Sequence, residues 1–247
     1  FTWLALGFVG RPTWMGLFGT LLLASILITQ SQLPTQVHQR TAAARWNHQH
    51  PGFTFVTAVE TPYQRLELGE RDQQYTLFGN GTPLFTFPNE YEVHHWAHIA
   101  LSQTPDADTI LLVGSGGEEM LEAMTEHHPS EIVYVELDPM IQRLSHEYQR
   151  DLPEHDQTRI IYYNDDPRAF FSLIPASLTF RVIALNQPDP LNGLTNRVYT
   201  REFFSQARAH LAEKGVLVFS ITGTPNYEQG DLGFYGATLY WTLRDIF

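Results

Sequence analysis

Four residues, Gly114-Ser115-Gly116-Gly117, lie between a short apolar run, Ile110–Val113, and a second strand-like run, Glu131–Val135, and an acid, Glu136, follows the second run. Glycines in such a turn let the backbone bend tightly and approach a ligand closely. A carboxylate roughly 20 residues beyond the first glycine can accept two hydrogen bonds from a ribose diol. The chemistry on offer is recognition of a nucleoside-bearing ligand. An ordinary strand–helix–strand unit with a glycine turn is the plainer alternative, and the placement of Glu136 favours the ligand.

Further polar groups recur at corresponding places. Asp166, in Asn164-Asp165-Asp166-Pro167, stands where a third strand meets the next helix. There it can accept a hydrogen bond from a base amino group or cap the helix, with Pro167 at the first helical position. Asn186-Gln187-Pro188-Asp189-Pro190 ends a fourth strand-like run, Phe180 to Leu185, where polar groups face the reacting part of a bound ligand. Asp189-Pro190 also reads as a turn. His94 and His98 lie one helical turn apart, which invites a zinc reading. Position 95 is His where that motif has its glutamate, and no third ligand is evident. Catalytic zinc takes three protein ligands, so no metal is expected.

The elements that must hold these residues follow from periodicity. Short apolar runs alternate with helical patterns from Ile110 to Ser220, which argues for a parallel sheet. Pro139 to Gln149, Thr200 to Ala212 and Leu232 to Phe247 read as helices, and Asn89 to Leu101 as a helix entering the sheet domain. Phe53 to Phe87 reads as strands, with Asn80-Gly81 as a hairpin turn. The glycine turn and the acids after the second and third strands together point to the methyltransferase-like, Rossmann-type variant of the doubly wound α/β fold. Its ligand is then an adenosyl sulfur compound.

Charge and composition narrow the classes. The formal net charge is -12, with 15 Lys+Arg against 27 Asp+Glu. A nucleic-acid binder carries a basic surface, so none is expected as partner. Cysteine is absent, which removes disulfides and cysteine-based metal or redox sites. Trp14 to Thr29 has no charged residue, and Phe8 and Val9 lengthen the apolar zone. A helix needs about 20 apolar residues to cross a bilayer, and a membrane segment is the expectation. Arg40 and Arg45 after the run, against Arg11 before it, place the rest of the chain on the cytoplasmic side. The Gln-, Thr- and His-rich stretch after it, with His38, His48 and His50, reads as a solvated linker.

The expected organisation is therefore four parts. Residues 1–30 form transmembrane segments, the end of a larger membrane region; 31–51 a linker; 52–88 a small antiparallel β unit; and 89–247 a methyltransferase-like α/β domain, C-terminally incomplete.

From about Tyr63 to Phe247 the sequence resembles the spermidine synthase (polyamine aminopropyltransferase) family. The parts that carry the resemblance are Pro62-Tyr63-Gln64, Asn89-Glu90, the glycine turn, Val135-Glu136-Leu137-Asp138, the Asp166 corner, and Asp189-Pro190 followed by Tyr199-Thr200-Arg201-Glu202-Phe203-Phe204. It is most similar to bacterial membrane-fused members, in which spanning helices precede the domain, an Asn-Arg-aromatic-Tyr-Thr segment recurs, and a pattern like Leu239 to Leu243 comes after it. The resemblance implies transfer of an aminopropyl group from decarboxylated S-adenosylmethionine to a polyamine such as putrescine, with methylthioadenosine released. It implies that Gln64, His94, Gly114, Gly116, Glu136 and Asp166 bind the adenosyl ligand, that no metal is used, and that a homodimer forms. At the amine half the chain departs from the family. Gly117 replaces an aspartate and Val93 a tyrosine. Of the Asp-x-x-Asp pair only Asp189 remains, because Asn186 holds the place of the first aspartate, the family's base. An amide has no basic site near neutral pH. Glu118 and Glu119 are the nearest substitutes for the missing charge. An S-adenosylmethionine-dependent methyltransferase and a non-catalytic adenosyl-nucleotide sensor remain alternatives.

Overall fold

The structure, a computed structural model, describes residues 18–26, 33–115, 117–149, 158–190, 192–222 and 230–247. The chain divides into two compact units, Phe1–Ala58 and Val59–Phe247.

In the first unit residues 18–26 form helix α1. Nine residues rise only about 13 Å, well short of a bilayer's hydrocarbon core. No helix among the described residues is long and apolar enough to cross a membrane. The expected span over 1–30 is therefore without support there, and the rest of it lies outside the described residues. The stretch expected as a linker holds helix α2 (Leu33–Gln49) instead. It lacks an apolar stripe, which is why its pattern reads as linker. Ala42-Ala43-Ala44 supplies strong helix formers, and Ala42 and Trp46, one turn apart, are fully buried. The Trp46 indole donates to the Phe53 carbonyl at 3.2 Å, and its ring lies against His50, Phe53 and Phe55. Strand β1 (Thr54–Glu60) begins in this unit.

The second unit opens with β2 (Arg65–Arg71), β3 (Gln74–Gly79) and β4 (Thr82–Phe87), which pair antiparallel. Asn80 and Gly81 both have positive φ, as the mirror-image two-residue hairpin turn requires. Asp72-Gln73 makes the same turn between β2 and β3, again with both φ positive, without a glycine to announce it.

Helix α3 (Glu90–Ser102) then leads into a five-stranded parallel sheet ordered β7-β6-β5-β8-β9. Its strands are β5 (Thr109–Val113), β6 (Glu131–Val135), β7 (Arg159–Tyr163), β8 (Phe180–Leu185) and β9 (Leu211–Phe219). The intervening helices are α4 (Gly117–Thr125), α5 (Pro139–Tyr148), α6 (Pro167–Leu173), α7 (Arg201–Ala209) and, last, α8 (Gly230–Arg244). Alternate residues of each strand feed two cores. Leu111, Val113, Val133, Val135, Ile183 and Leu185 pack on one face, and Ile110, Leu112, Ile132, Tyr134, Val182 and Ala184 on the other. A sheet covered on both faces needs such near-continuous apolar runs, and those runs between turn residues mark these strands in the sequence. Helix α7 ends at Ala209, earlier than its pattern predicts. Lys214 has φ 59, and β9 carries a register irregularity against β8. Lys214-Gly215 thus lies within an irregular strand, just past the residues that read as helix in the sequence.

The chain crosses from β7 back over to β8, so the strand order reverses between β5 and β8. In open α/β sheets the crevice outside the strand ends at such a reversal is where ligands bind.

Candidate functional site

The sheet ladder continues one residue past three strand ends. Gly114 N donates to Val135 O, Glu136 N to Tyr163 O, and Asn186 N to Val113 O, each at 2.9 Å. The first residue after β5, β6 and β8 is thereby held in fixed register beside its neighbours.

Above these ends is a partly open pocket with about 440 Å³ of empty space, open solvent included. Its polar lining includes Gln64, Ser115, Glu136, Asp138, Gln187 and Arg197, and Leu84, Ile141 and Val198 contribute an apolar wall. Gly114 has φ +95, and a side chain there would run into that of Gln187. Glycine is required twice over, by backbone conformation and by this close approach.

Glu136 is 3 % exposed. Its Oε1 accepts from the Asp138 amide at 3.1 Å, and its Oε2 from the Tyr134 hydroxyl at 3.4 Å. Burial pushes its pKa up to about 7, with the Asp138 carboxylate adding to the effect. A group poised near neutrality in a pocket is a mark of a functional site. Asp138 is also buried. Its Oδ1 accepts from Met140 N at 3.1 Å and caps α5, and its Oδ2 accepts from the Thr61 hydroxyl at 2.7 Å. Thr61 in turn accepts from the Gln64 amide at 3.0 Å. This chain of bonds fastens the turn before β2 to the end of β6 and brings Gln64 over the pocket.

Asp166 caps α6 by accepting from Arg168 N at 3.0 Å. Its other oxygen accepts from Arg197 Nη1 at 2.7 Å and from Arg168 Nη2 at 3.3 Å. Burial pushes this carboxyl up, but the hydrogen bonds from Arg168 and the Arg197 charge outweigh that and hold it below the usual range. Capping, one of the two open readings of Asp166, is realised. Its partner Arg197 and the adjacent Pro167 line the pocket, and Asp166 itself is not among the lining residues.

Other expected residues lie elsewhere. The His94 imidazole is 3.5 Å from the Glu126 carboxylate and is not part of the pocket lining. Gly116 lies outside the described residues. Asn186 donates through its side-chain amide to Ser115 O at 3.0 Å. Asp189 Oδ1 accepts from Thr222 N at 3.1 Å and from the Tyr235 hydroxyl at 3.5 Å. Burial, followed by the Asp189 charge, raises the pKa of Tyr235, so this phenol stays protonated and acts as a donor. Burial does the same for Tyr199, whose hydroxyl donates to Gln187 O at 3.0 Å.

Neither substitute for the missing charge reaches the pocket. Glu119 accepts from Asn89 N at 2.9 and 3.0 Å, fastening the start of α3. Glu118 lies 3.9 Å from His146 on another surface. At Gly117, φ is +60, and a Cβ would come within 3.0 Å of Gln149 Nε2 and 3.1 Å of Ser145 Oγ. Gln149 and Ser145 both accept from the Glu118 amide, so the start of α4 is already capped from within. Sequence reasoning did not single out Arg197, the approach of Gln187 to Gly114, or the Thr61–Asp138 link. Arg197 had one signal, its place in an Asn-Arg-x-Tyr-Thr segment. The other two depend on contacts between distant segments.

The antiparallel β unit followed by a reversed parallel sheet defines a Rossmann-like, methyltransferase-type α/β fold. Spermidine synthase from Thermotoga maritima superposes with a TM-score of 0.61 at 20% identity, over 78% of this chain and 64% of that one. A spermidine synthase solved in complex with the transition state analogue AdoDATO gives 0.62 at 20% identity, over 78% and 65%. Residues 91–238 match the spermine/spermidine synthase domain, and the chain belongs to that family. The polyamine aminopropyltransferase of Oceanobacillus iheyensis is 26% identical over 191 residues, covering 75% of this chain and 35% of that protein. That of Leptospira interrogans is 28% identical over 195 residues, covering 76% and 37%. The chain thus spans little more than a third of the length of these curated relatives.

Proposed function

We propose that this chain is a spermidine synthase-like transferase domain that binds decarboxylated S-adenosylmethionine or a related adenosyl ligand, with an amine-acceptor site altered from the family pattern. The observation that carries the reading is Glu136, a buried carboxylate with a pKa of about 7 at the end of β6, beside the glycine turn of β5. Its oxygens are suited to a ribose diol, and Gln64, Ser115 and Arg197 supply polar contacts around it. Gly114 lets the ligand approach the backbone, with Gly116 expected to do the same. Asp166 accepts from Arg197, which lines the pocket, and His94, also expected from the resemblance, is not among the lining residues.

In the transfer, an uncharged amine nitrogen bonds to the methylene next to the sulfonium. The carbon–sulfur bond breaks, its electron pair stays on sulfur, and methylthioadenosine leaves as a neutral thioether. The amine proton must go to a base. Asn186 offers none. Asp189, with Tyr235 donating to it, is the carboxylate left for that role and for holding a cationic amine. Asp189→Asn is then expected to lower turnover by roughly 100-fold or more, the scale of general-base loss, while nucleoside affinity stays within about twofold.

Calorimetric titration with decarboxylated S-adenosylmethionine, S-adenosylmethionine and methylthioadenosine, each with and without putrescine, tests the reading. Binding that Glu136→Ala abolishes, with methylthioadenosine released on adding putrescine, supports it. A preference for S-adenosylmethionine would turn it into a methyltransferase. A second reading, a non-catalytic sensor of adenosyl nucleotides, is favoured by one observation: Asn186 is spent on the Ser115 carbonyl. Nucleoside binding without turnover on any amine would establish that reading, and no nucleoside binding would end both.

We also infer attachment to a membrane through residues 14–29, with the α/β domain on the cytoplasmic side. Phe18, Leu21, Leu22, Leu23 and Ile26 of α1 are exposed, the first by 71%. Fractionation of expressing cells tests this: protein recovered in the high-speed supernatant without detergent would overturn it.

A further inference from the structure

We propose that His94, His98 and Glu126 form a binding site for a borderline divalent cation of the Zn²⁺ type, with His127 orienting His98. The sequence offers only the two histidines at helical spacing. Folding adds the rest. His94 and His98 lie one turn apart on α3, so their side chains share a face. Glu126 and His127 come directly after α4, which packs against α3.

The distances suit an ion. Glu126 Oε2 stands 3.5 Å from His94 Nδ1 and 3.5 Å from His98 Nε2. Donor atoms on a tetrahedral ion with bonds of about 2.0–2.1 Å lie about 3.4 Å apart. The three donor atoms all fall within 4.8 Å of one another, and the widest gap closes by rotation of side chains that are partly or half exposed. Two imidazoles and a carboxylate are a Zn²⁺, Co²⁺ or Ni²⁺ donor set, whereas Mg²⁺ and Ca²⁺ take oxygen. His98 and Glu126 are 47% and 46% exposed, which leaves the fourth position open to water.

A metal-binding histidine is oriented by a hydrogen bond from its other nitrogen. The His98 Nδ1 atom is 2.6 Å from His127 Nε2. When His98 donates in that bond, its lone pair is on Nε2, the atom that faces Glu126. A bound cation would join α3 to the end of α4. None of the three ligands lines the adenosyl pocket, so neither proposal depends on the other.

The test uses the full chain free of any affinity tag. Co²⁺ is titrated with detection of its visible absorption, and Zn²⁺ is measured by competition. Saturable uptake of one equivalent is expected, together with a rise in Tm on adding Zn²⁺ that a chelator reverses. His94→Ala, His98→Ala and Glu126→Ala should each weaken uptake by roughly 100-fold or more, and His127→Ala by roughly 10- to 100-fold. His95→Ala and His128→Ala, beside the cluster but outside it, should leave it unchanged. A variant that fails to fold is replaced by its glutamine counterpart. Failure of the unaltered chain to take up either ion saturably overturns the site. So does uptake that survives loss of His94, His98 or Glu126.

Discussion

The side-chain amide of Asn186 donates to the backbone carbonyl of Ser115 at 3.0 Å. One residue thereby locks the end of β8 to the glycine turn of β5, at the position where the resemblance to the family leads one to expect an aspartate base. An aspartate there could not donate that bond while ionised.

Asn186→Asp should therefore restore a base and cost stability together. A carboxylate facing a carbonyl is expected to destabilise the fold by about 1–3 kcal/mol at pH 8. The cost should shrink at pH 5, where a carboxyl raised by this contact is protonated and can donate. Denaturant melts at the two pH values check the first part. Methylthioadenosine release with putrescine checks the second, which the transferase reading expects to increase in the variant.

Glu136 sets a pH dependence whose sign follows from its raised pKa. The folded protein holds this proton more tightly than the unfolded chain, whose carboxyl has the ordinary value of 4.5. The associated stability is fully present below about 4.5 and is lost as pH rises through about 7. The loss is on the order of 3 kcal/mol. Glu136→Gln should then be more stable than the parent at pH 8 and similar to it at pH 4.5, as chemical denaturation at both pH values would show.

The same carboxylate should make nucleoside affinity rise with pH. A ribose diol donates to the ionised form, so affinity should fall about tenfold per unit below pH 6 and level off above pH 8. Binding near pH 7 should release protons, read as a dependence of calorimetric heat on the buffer's ionisation enthalpy. Glu136→Gln should abolish both effects.

Arg197 should matter more for ligand than for fold. Its pair with Asp166 is partly exposed on both sides, 24% and 23%, and exposed pairs contribute about 1 kcal/mol or less. Arg197→Ala should lower Tm only slightly and weaken nucleoside binding, because it removes a pocket wall as well as the charge. Equal affinity in the variant would show that Arg197 serves Asp166 alone.

Gly117→Asp, the change that copies the family's turn, should not rebuild an amine site. At φ +60 and with Gln149 and Ser145 in the way, the new side chain displaces the cap at the start of α4. A loss of about 1–3 kcal/mol is expected, with no gain in putrescine affinity. Thermal melting and calorimetry on one preparation would measure both.

The strands were legible because a sheet buried on both faces demands short continuous apolar runs, and Ile110–Val113, Ile132–Val135 and Val182–Leu185 supply them. The glycine turn and Glu136 were legible because backbone conformation and chain direction fix where they must stand. Helix α2 was not, since its burial rests on Ala42 and Trp46 and no apolar stripe announces it. The sequence by itself determined the fold class, the glycine turn and the acid at the end of β6, all of which depend on local pattern. Only the tertiary structure decided which side chains meet across distant segments. It set Asn186 on Ser115, Arg197 on Asp166, Thr61 on Asp138 and His94 beside Glu126. Such pairings depend on how helices pack over the sheet, and spacing along the chain does not encode that.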